Sequence, residues 1–209
     1  MVDGYVVLRG AFARAVALDC REFVWQEVLR WDHCTTYGQP MVQIQTGFGC
    51  APFDRIMNDR LNAALDGLVG SGRWEAHNSW GWWSLLFPGF QGPGGWHVDS
   101  FKTSTYRLVS PLKGVQTIFL FSDVGPGDGA TPIVRGSHRD VARMLTAVEP
   151  KGIEPGPEFQ RRLEAMADSS RIVSFTGEAG DVAMMHPFLV HGFWREYRDG
   201  DSVRLQPAI

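Results

Sequence analysis

Two segments in the first third of the chain carry apolar residues at the spacing of an amphipathic helix. Apolar side chains that recur every three to four positions form one face of a helix. The apolar positions are Val16, Leu18, Phe23, Val24, Val28 and Leu29 in residues 12–31, and Ile56, Leu61, Leu65 and Val69 in residues 53–69. We therefore predict one helix in each segment, with Gly70 ending the second.

The rest of the chain has a different pattern, in which short apolar or aromatic runs are interrupted by glycine and proline. Such runs are typical of strands. The predicted strands are residues 4–9, 82–87, 96–108, 115–121, 172–175, 182–186, 189–194 and 203–206, and one more helix is predicted at 157–168. This layout favours one domain over residues 1–209, of an α+β class that is mainly β, with a jelly-roll or barrel centre.

Charge and composition narrow the class of protein. Twenty Lys and Arg against 23 Asp and Glu give a net charge of −3, which provides no basic field for nucleic acid or anionic lipid. The sequence has no apolar stretch of about 18 residues and no signal peptide at its start. We therefore expect a cytoplasmic protein that binds neither nucleic acid nor membrane. Cys20, Cys34 and Cys50 lack C-x-x-C spacing, and we expect isolated reduced thiols.

Tryptophan is unusually concentrated in one part of the chain. Of the eight tryptophans, four lie between residues 74 and 83, and Trp96 follows soon after. Aromatic side chains form thick core layers and also line apolar substrate pockets, and the sequence leaves both interpretations open. The residues that we consider for such a pocket are Trp83, Trp96 and Phe193.

The tripeptide His97-Val98-Asp99 is the first candidate for a metal site. Side chains alternate along a strand, so His97 and Asp99 point the same way and could hold two adjacent positions on a metal ion. A third ligand has to come from later in the chain, and the candidates are His138, His186 and His191. Two His and one carboxylate on one side of a metal leave three positions open, as in non-haem Fe(II) oxygenases.

Arg204 is a candidate anion clamp. It lies between Val203 and Leu205 in a predicted strand, and these apolar neighbours favour a side chain that points inward. The planar guanidinium group binds carboxylates in a bidentate manner. An inward Arg204 would suit the distal carboxylate of 2-oxoglutarate.

These motifs resemble the phytanoyl-CoA dioxygenase family of Fe(II)/2-oxoglutarate oxygenases, and the similarity extends over nearly the whole chain. The segments that carry the resemblance are Asp3–Gly10, Phe87–Gly89, His97–Asp99, Ser122–Val124, Gly129–Arg139 and His186–Gly192. The resemblance implies a double-stranded β-helix, a jelly roll of the cupin type, with N-terminal helices packed on it. It also implies that His97, Asp99 and His191 bind Fe(II) and that Arg204 binds 2-oxoglutarate, with O₂ as the other co-substrate.

Two details of the sequence refine this expectation. Phe193-Trp194-Arg195 follows His191-Gly192, where the family often has small or polar residues, and Thr117 is our candidate for the missing contact to 2-oxoglutarate. Halogenating relatives have a small residue at the position of Asp99, so the resemblance implies a hydroxylase or related oxidase.

The expected reaction is the oxidation, by default hydroxylation, of a C–H bond in a small organic molecule with an apolar or aromatic portion, with release of succinate and CO₂. Two alternatives stay open. One is an oxygenase that modifies a peptide or protein, and the other is a jelly-roll metal protein, such as an isomerase or binding protein, without oxygenase activity.

Overall fold

The computed structural model describes residues 1–30, 41–47, 51–75, 79–86, 95–99, 105–109, 114–126, 128–192 and 204–208. Within these ranges, only the backbone is described for residues 27–30, 41–47, 79–86 and 204–208. No helix in the described part of the chain combines the length and the apolar character needed to cross a membrane.

Most strands belong to one antiparallel sheet of six, in the order β1-β7-β4-β8-β3-β2. Its strands are β1 (Tyr5–Leu8), β2 (Met41–Gly47), β3 (Ser79–Leu86), β4 (Gln116–Phe119), β7 (Val182–Met185) and β8 (Arg204–Ala208). A second antiparallel sheet consists of β5 (Thr131–Val134) and β6 (Ile172–Phe175). Isolated bridges extend it: Ile133 pairs with His191, which in turn pairs with His97.

The two sheets pack face to face through an apolar core. This core takes Ile118 from β4, Ala183 and Met185 from β7, and Ile133 and Phe175 from the second sheet. The strands of both sheets alternate between this inner face and an outer face covered by helices. The space between the sheets is therefore the interior toward which inward-facing side chains converge.

Helices cover both outer faces. Against the six-stranded sheet lie α1 (Arg14–Arg30), a 3₁₀ turn (Phe53–Arg55) and α2 (Asp59–Val69), and against the second sheet lie α3 (Ser137–Thr146) and α4 (Pro157–Met166). The predicted helix over 53–69 is divided because Asn58 caps α2, accepting a hydrogen bond of 3.0 Å from the backbone N–H of Leu61. Gly70 follows the last residue of α2, as predicted.

The predicted strands at 4–9, 172–175 and 182–186 are confirmed to within a residue or two, and the helix at 157–168 corresponds to α4. Residues 96–108 do not form the continuous strand that we predicted: the described parts carry only single bridges, at His97 and Tyr106. The β2 and β5 strands and helix α3 were not predicted. The fold is α+β, as predicted, but the described residues form two separate sheets and no closed jelly roll.

The cysteine prediction is borne out for the one thiol that is described. Cys20 is free and fully buried on α1, and burial raises the pKa of its thiol to about 12. A thiol with so high a pKa is not a reactive nucleophile. Cys34 and Cys50 lie outside the described residues.

Candidate metal centre

His97 and Asp99 point into the space between the sheets because Val98 points the other way. Val98 is 2% exposed and packs in the outer core with residues of α3 and α4. Val190 packs in the same outer core, which turns its neighbour His191 toward the interior. Alternation along two extended segments therefore brings three potential ligands to one face.

The backbone holds the two histidines side by side. The N–H of His97 donates to the carbonyl oxygen of His191 at 2.9 Å, and the N–H of His191 donates to the carbonyl oxygen of His97 at 3.0 Å. Residues paired in this way lie directly opposite each other and share a face. The two imidazole rings consequently lie with their centroids 4.3 Å apart.

Asp99 lies between the two rings. The Nε2 atom of His97 is 3.6 Å from one carboxylate oxygen of Asp99, and the Nε2 atom of His191 is 3.6 Å from the other. One ligand atom from each of the three residues lies within 4.8 Å of the others. Among the described residues, this is the one group of three or more such side chains with metal-site geometry.

Hydrogen bonds to the backbone fix the orientation of both rings. The Nδ1 atom of His97 lies 3.0 Å from the carbonyl oxygen of Gly95, and the Nδ1 atom of His191 lies 2.9 Å from that of Leu189. Because a carbonyl oxygen only accepts hydrogen bonds, Nδ1 carries the proton in both rings. The Nε2 lone pairs then face Asp99, which is the arrangement that histidine ligands need.

The electrostatics of the group favour a bound cation. Burial acts to raise the pKa of Asp99, but His191, His97 and the Gln116 amide outweigh it and lower the pKa. For His191, burial acts to lower the pKa, but the Asp99 carboxylate outweighs it and raises the pKa. Burial, and then the nearby His191, lower the pKa of His97. The carboxylate is thus ionised at neutral pH and attracts positive charge toward the Nε2 atoms.

The donor set fits iron. Two imidazole nitrogens and one carboxylate oxygen on one side of a metal form the facial arrangement of non-haem Fe(II) oxygenases and leave positions free for co-substrates. The backbone contacts at both Nδ1 atoms add the outer support that such ligands require. The residues present therefore suit the group that the sequence indicates.

Of the three histidines considered for the third ligand, His191 is the one that the structure brings to His97 and Asp99. His138 is buried on α3 and its ring centroid lies 5.1 Å from that of His186. The Nδ1 atom of His186 accepts a hydrogen bond from the N–H of Phe188 at 3.1 Å. Neither belongs to the group around Asp99.

One residue of the site was missed by the sequence analysis. Gln116 in β4, on the opposite sheet, is among the neighbours that lower the pKa of Asp99. Thr117, our candidate contact for 2-oxoglutarate, pairs with Met184 and so belongs to the other face of β4, together with Phe119 and the helical core of α1. Gln116 lies on the face of β4 that Ile118 presents to the inner core, whereas Thr117 lies on the other face. The contact of Thr117 with 2-oxoglutarate stays a prediction.

Arg204 is the first residue of β8, where its Cα pairs with that of Leu86. In the same strand, Ala208 pairs with Ile118 of β4. The side chain of Arg204 is not described, so its role in binding 2-oxoglutarate stays a prediction.

The three aromatic candidates for a substrate pocket have different outcomes. Trp96 is half-buried and packs with Val98 in the outer core, on the side of its segment away from His97, which differs from our expectation. Trp83 lies in β3, where its Cα pairs with Pro207, whereas Trp82 pairs with Ala208. Phe193 lies outside the described residues.

Several solved structures share the fold of this chain. EvdO2 from Micromonospora carbonacea var. aurantiaca matches with a TM-score of 0.68 at 13% identity, over 99% of this chain and 85% of its own. HygX from Streptomyces hygroscopicus, solved with nickel and 2-oxoglutarate bound, matches with a TM-score of 0.64 at 18% identity, over 99% of this chain and 81% of its own. EctD from S. alaskensis matches with a TM-score of 0.63 at 20% identity, over 99% of this chain and 72% of its own.

Across eight such structures, the chain spans between 65% and 88% of the other protein's length. A search of curated proteins by sequence found no match. The sequence profile described as "Phytanoyl-CoA dioxygenase (PhyH)" matches residues 2–192, which include all three triad residues. This family uses Fe(II) and 2-oxoglutarate. The chain therefore belongs to the phytanoyl-CoA dioxygenase family and is a 2-oxoglutarate-dependent non-haem iron dioxygenase.

Proposed function

We propose that His97, Asp99 and His191 hold Fe(II), and that the protein oxidises a C–H bond of a small organic molecule, by default through hydroxylation. The observation that carries this proposal is the geometry of the triad. Both Nε2 atoms lie 3.6 Å from the Asp99 carboxylate, while both Nδ1 atoms bond to backbone carbonyls. This orientation leaves three ligand atoms free to converge on one cation.

Bound iron supplies the site at which 2-oxoglutarate and O₂ react, giving succinate and CO₂ and oxidising the substrate. The protein's own residues position the metal ligands and limit the access of water. The backbone pairing of His97 with His191 sets the spacing of the two imidazoles, and Asp99 supplies the negative charge. The apolar core between the sheets, with Ile118 and Met185 buried, keeps water away from one side of the site.

We infer that Arg204 binds the distal carboxylate of 2-oxoglutarate. Its position in β8 supports this inference. Arg204 begins β8, and the backbone of this strand pairs with that of β4 at Ala208 and Ile118, of which Ile118 belongs to the inner core. A guanidinium group has the planar fork that matches a carboxylate.

The substrate's apolar or aromatic portion is proposed from the tryptophan-rich strand β3, which pairs with β8. Trp83 of this strand and Phe193 stay predictions for the pocket. HygX has also been solved with nickel, 2-oxoglutarate and hygromycin B bound together. A fold of this kind therefore has room for a third molecule beside the metal and the co-substrate.

We further propose that residues 1–209 form one domain and that the two facing sheets are the two halves of a double-stranded β-helix. The shared inner core and the bridges from β5 to His191 and from His191 to His97 support this. A cytoplasmic location stays a prediction from the sequence.

The proposed function is tested by adding Fe(II), and then 2-oxoglutarate, to the metal-free protein without oxygen. We expect a weak visible charge-transfer band that requires both additions. Asp99→Ala should not give the band, whereas Asp54→Ala, at an exposed aspartate of the 3₁₀ turn, should give it unchanged. Succinate release in the presence of candidate substrates then identifies the molecule that is oxidised.

A protein that binds Fe(II) through the triad but gives no band with 2-oxoglutarate would contradict the proposal. That result would favour the metal protein without oxygenase activity and would make Arg204 a structural arginine. Succinate release that depends on peptides, and not on small molecules, would favour the peptide-modifying alternative.

A further inference from the structure

One peptide group lies between the hydroxyl of Ser137 and the imidazole of His191. This peptide joins Leu189 to Val190. Its N–H belongs to Val190 and donates to the hydroxyl oxygen of Ser137 at 2.8 Å. Its carbonyl oxygen belongs to Leu189 and accepts from the Nδ1 atom of His191 at 2.9 Å. Because a peptide group is planar and stiff, a contact that fixes its N–H also fixes the direction of its carbonyl.

Both hydrogen bonds are shielded from water. The four residues that make them are buried, and Ser137 is 0% exposed. Without the Ser137 hydroxyl, the N–H of Val190 would be a buried donor with no acceptor, which is a costly state that a shift of the peptide would relieve. Such a shift would also move the carbonyl that holds the ring of His191.

Helix α3 places the Ser137 hydroxyl opposite this peptide. Ser137 is the first residue of α3, and further along the helix Val141 and Leu145 pack in the outer core. Val190 packs in the same core, so apolar contacts also hold α3 against the segment that precedes His191. The acceptor and the donor are therefore presented by two elements that already pack together.

The other histidine ligand lacks support of this kind. The Nδ1 atom of His97 lies 3.0 Å from the carbonyl oxygen of Gly95, which is an exposed residue. The side chain of His97 is 36% exposed, whereas that of His191 is 5% exposed. His191 is thus the ligand whose orientation depends on a buried chain of hydrogen bonds.

From these contacts we infer that Ser137 is a positioning residue for His191. Its hydroxyl holds the peptide between Leu189 and Val190, and the carbonyl of this peptide keeps the imidazole turned with Nε2 toward Asp99. The inference rests on the proposed function, since the orientation matters for metal binding only if His191 is a ligand. Outer groups that orient a metal ligand commonly change metal affinity by about 10- to 100-fold when they are removed.

The test uses Co(II) as a spectroscopic probe with the full chain, without 2-oxoglutarate or substrate. Ser137→Ala removes the acceptor, and we expect its Co(II) affinity to fall on the order of 10- to 100-fold and its visible Co(II) spectrum to change. Ser137→Cys keeps a side chain of similar size whose sulfur is a weak acceptor, so its affinity should lie between those of Ser137→Ala and the wild type. If Ser137→Ala does not fold, Ser137→Cys carries the comparison with the wild type.

Leu145→Ala is the matched control for loss of stability. Leu145 also belongs to α3 and is completely buried, but it lies two turns beyond Ser137 and makes no hydrogen bond to the peptide. The substitution should lower the midpoint of thermal unfolding of the metal-free protein, because it removes buried apolar volume. Its Co(II) affinity and spectrum, measured at a temperature at which every variant is folded, should equal those of the wild type.

The outcomes separate this inference from the proposed function. Equal Co(II) affinity and equal spectra in the wild type and the Ser137 variants would overturn the inference alone, as would the same loss of affinity in Ser137→Ala and Leu145→Ala. No Co(II) binding by the wild type, or binding unaffected by His191→Ala, would overturn the proposed function and the inference together. Weaker binding in Ser137→Ala, with unchanged binding in Leu145→Ala, supports both.

Discussion

His97 and His191 donate backbone hydrogen bonds to each other, at 2.9 and 3.0 Å, although they come from distant parts of the chain. The pairing uses only main-chain atoms, so it does not depend on either imidazole. The surrounding strands and the outer core under Val98 and Val190 hold the two segments in place. The fold, and not the metal, therefore brings the two histidines together.

Replacing His97 by alanine should consequently remove metal binding without unfolding the protein. We expect the affinity for Fe(II) or Co(II) to fall by more than about 100-fold, beyond the range for a residue that only orients a ligand. Metal titration and thermal unfolding of the metal-free form measure the two effects separately. His186→Ala is the control, because His186 lies outside the group and should keep full metal affinity. Retained metal binding in His97→Ala would show that the ligand set is wrong.

Arg204→Ala should weaken 2-oxoglutarate binding while leaving metal binding unchanged. Loss of a bidentate, charge-assisted contact costs about 3 kcal/mol, which corresponds to roughly a 100-fold higher Kd. The Kd of Arg204→Lys for 2-oxoglutarate should lie between those of the wild type and Arg204→Ala, because an ammonium group keeps the charge but lacks the planar fork. The charge-transfer band, titrated with 2-oxoglutarate, gives the Kd directly.

Arg143→Ala is the control for this measurement. Arg143 is an exposed arginine of α3, whose side chain is 75% exposed and pairs with Asp140. It should leave the Kd for 2-oxoglutarate unchanged. Equal values for Arg204→Ala and Arg143→Ala would assign the co-substrate's carboxylate to another residue.

Ser137 supports the segment that carries His191. Its buried hydroxyl accepts a hydrogen bond from the N–H of Val190 at 2.8 Å, one residue before the ligand. Ser137→Ala leaves this N–H without its partner, so the free energy of unfolding should fall by about 1–3 kcal/mol. Urea denaturation of the metal-free protein measures the change. Ser122→Ala, which removes a hydroxyl that has no hydrogen-bond partner in the described part of the chain, should change the free energy of unfolding much less.

Two members of the triad could be predicted from local geometry. His97 and Asp99 lie two positions apart, and alternation along an extended segment puts them on one face whatever the rest of the chain does. The choice of His191 over His186 came from resemblance to the family, and the structure brings His191 to the other two.

What the sequence missed depended on contacts between distant segments. Gln116 and Thr117 are adjacent, and the pairing of β4 with β7 decides which of them lies on the face of the inner core. In the sequence, Trp96 looks like a pocket residue because it is aromatic and lies next to His97. Its side chain alternates with that of His97 and therefore packs in the outer core. Helix α3 was not predicted, and its buried residues Val141 and Leu145 find their partners only where α3 packs on the second sheet.

Asp181 provides a pH-dependent contribution to stability outside the site. Its carboxylate is buried and accepts hydrogen bonds from the Arg9 guanidinium at 2.7 Å and from the N–H groups of Gly10 and Glu178 at 2.8 and 2.9 Å. Burial acts to raise the pKa of Asp181, but these donors outweigh it and lower the pKa below its ordinary value. The ionised form therefore stabilises the folded state.

The sign of this effect sets the pH window. A carboxyl group with a lowered pKa in the folded state contributes its full stability above its unfolded pKa of about 3.9, and loses it as the pH falls through the folded pKa. Asp181→Asn should lower the free energy of unfolding by about 1–3 kcal/mol at pH 7. The difference from the wild type should shrink as the pH falls below about 4, as protonation removes the advantage of the native carboxylate.

Urea denaturation at a series of pH values between 7 and 3 measures this difference. Asp54→Asn is the control, because Asp54 is exposed and its replacement should give a small difference at every pH. If the difference between Asp181→Asn and the wild type stays constant down to pH 3, the charge of the Asp181 carboxylate does not contribute to the free energy of unfolding. A difference that shrinks with acid would show that the ionised Asp181 carboxylate, which precedes β7, stabilises the protein through its contacts with Arg9 and Gly10 after β1 and with Glu178.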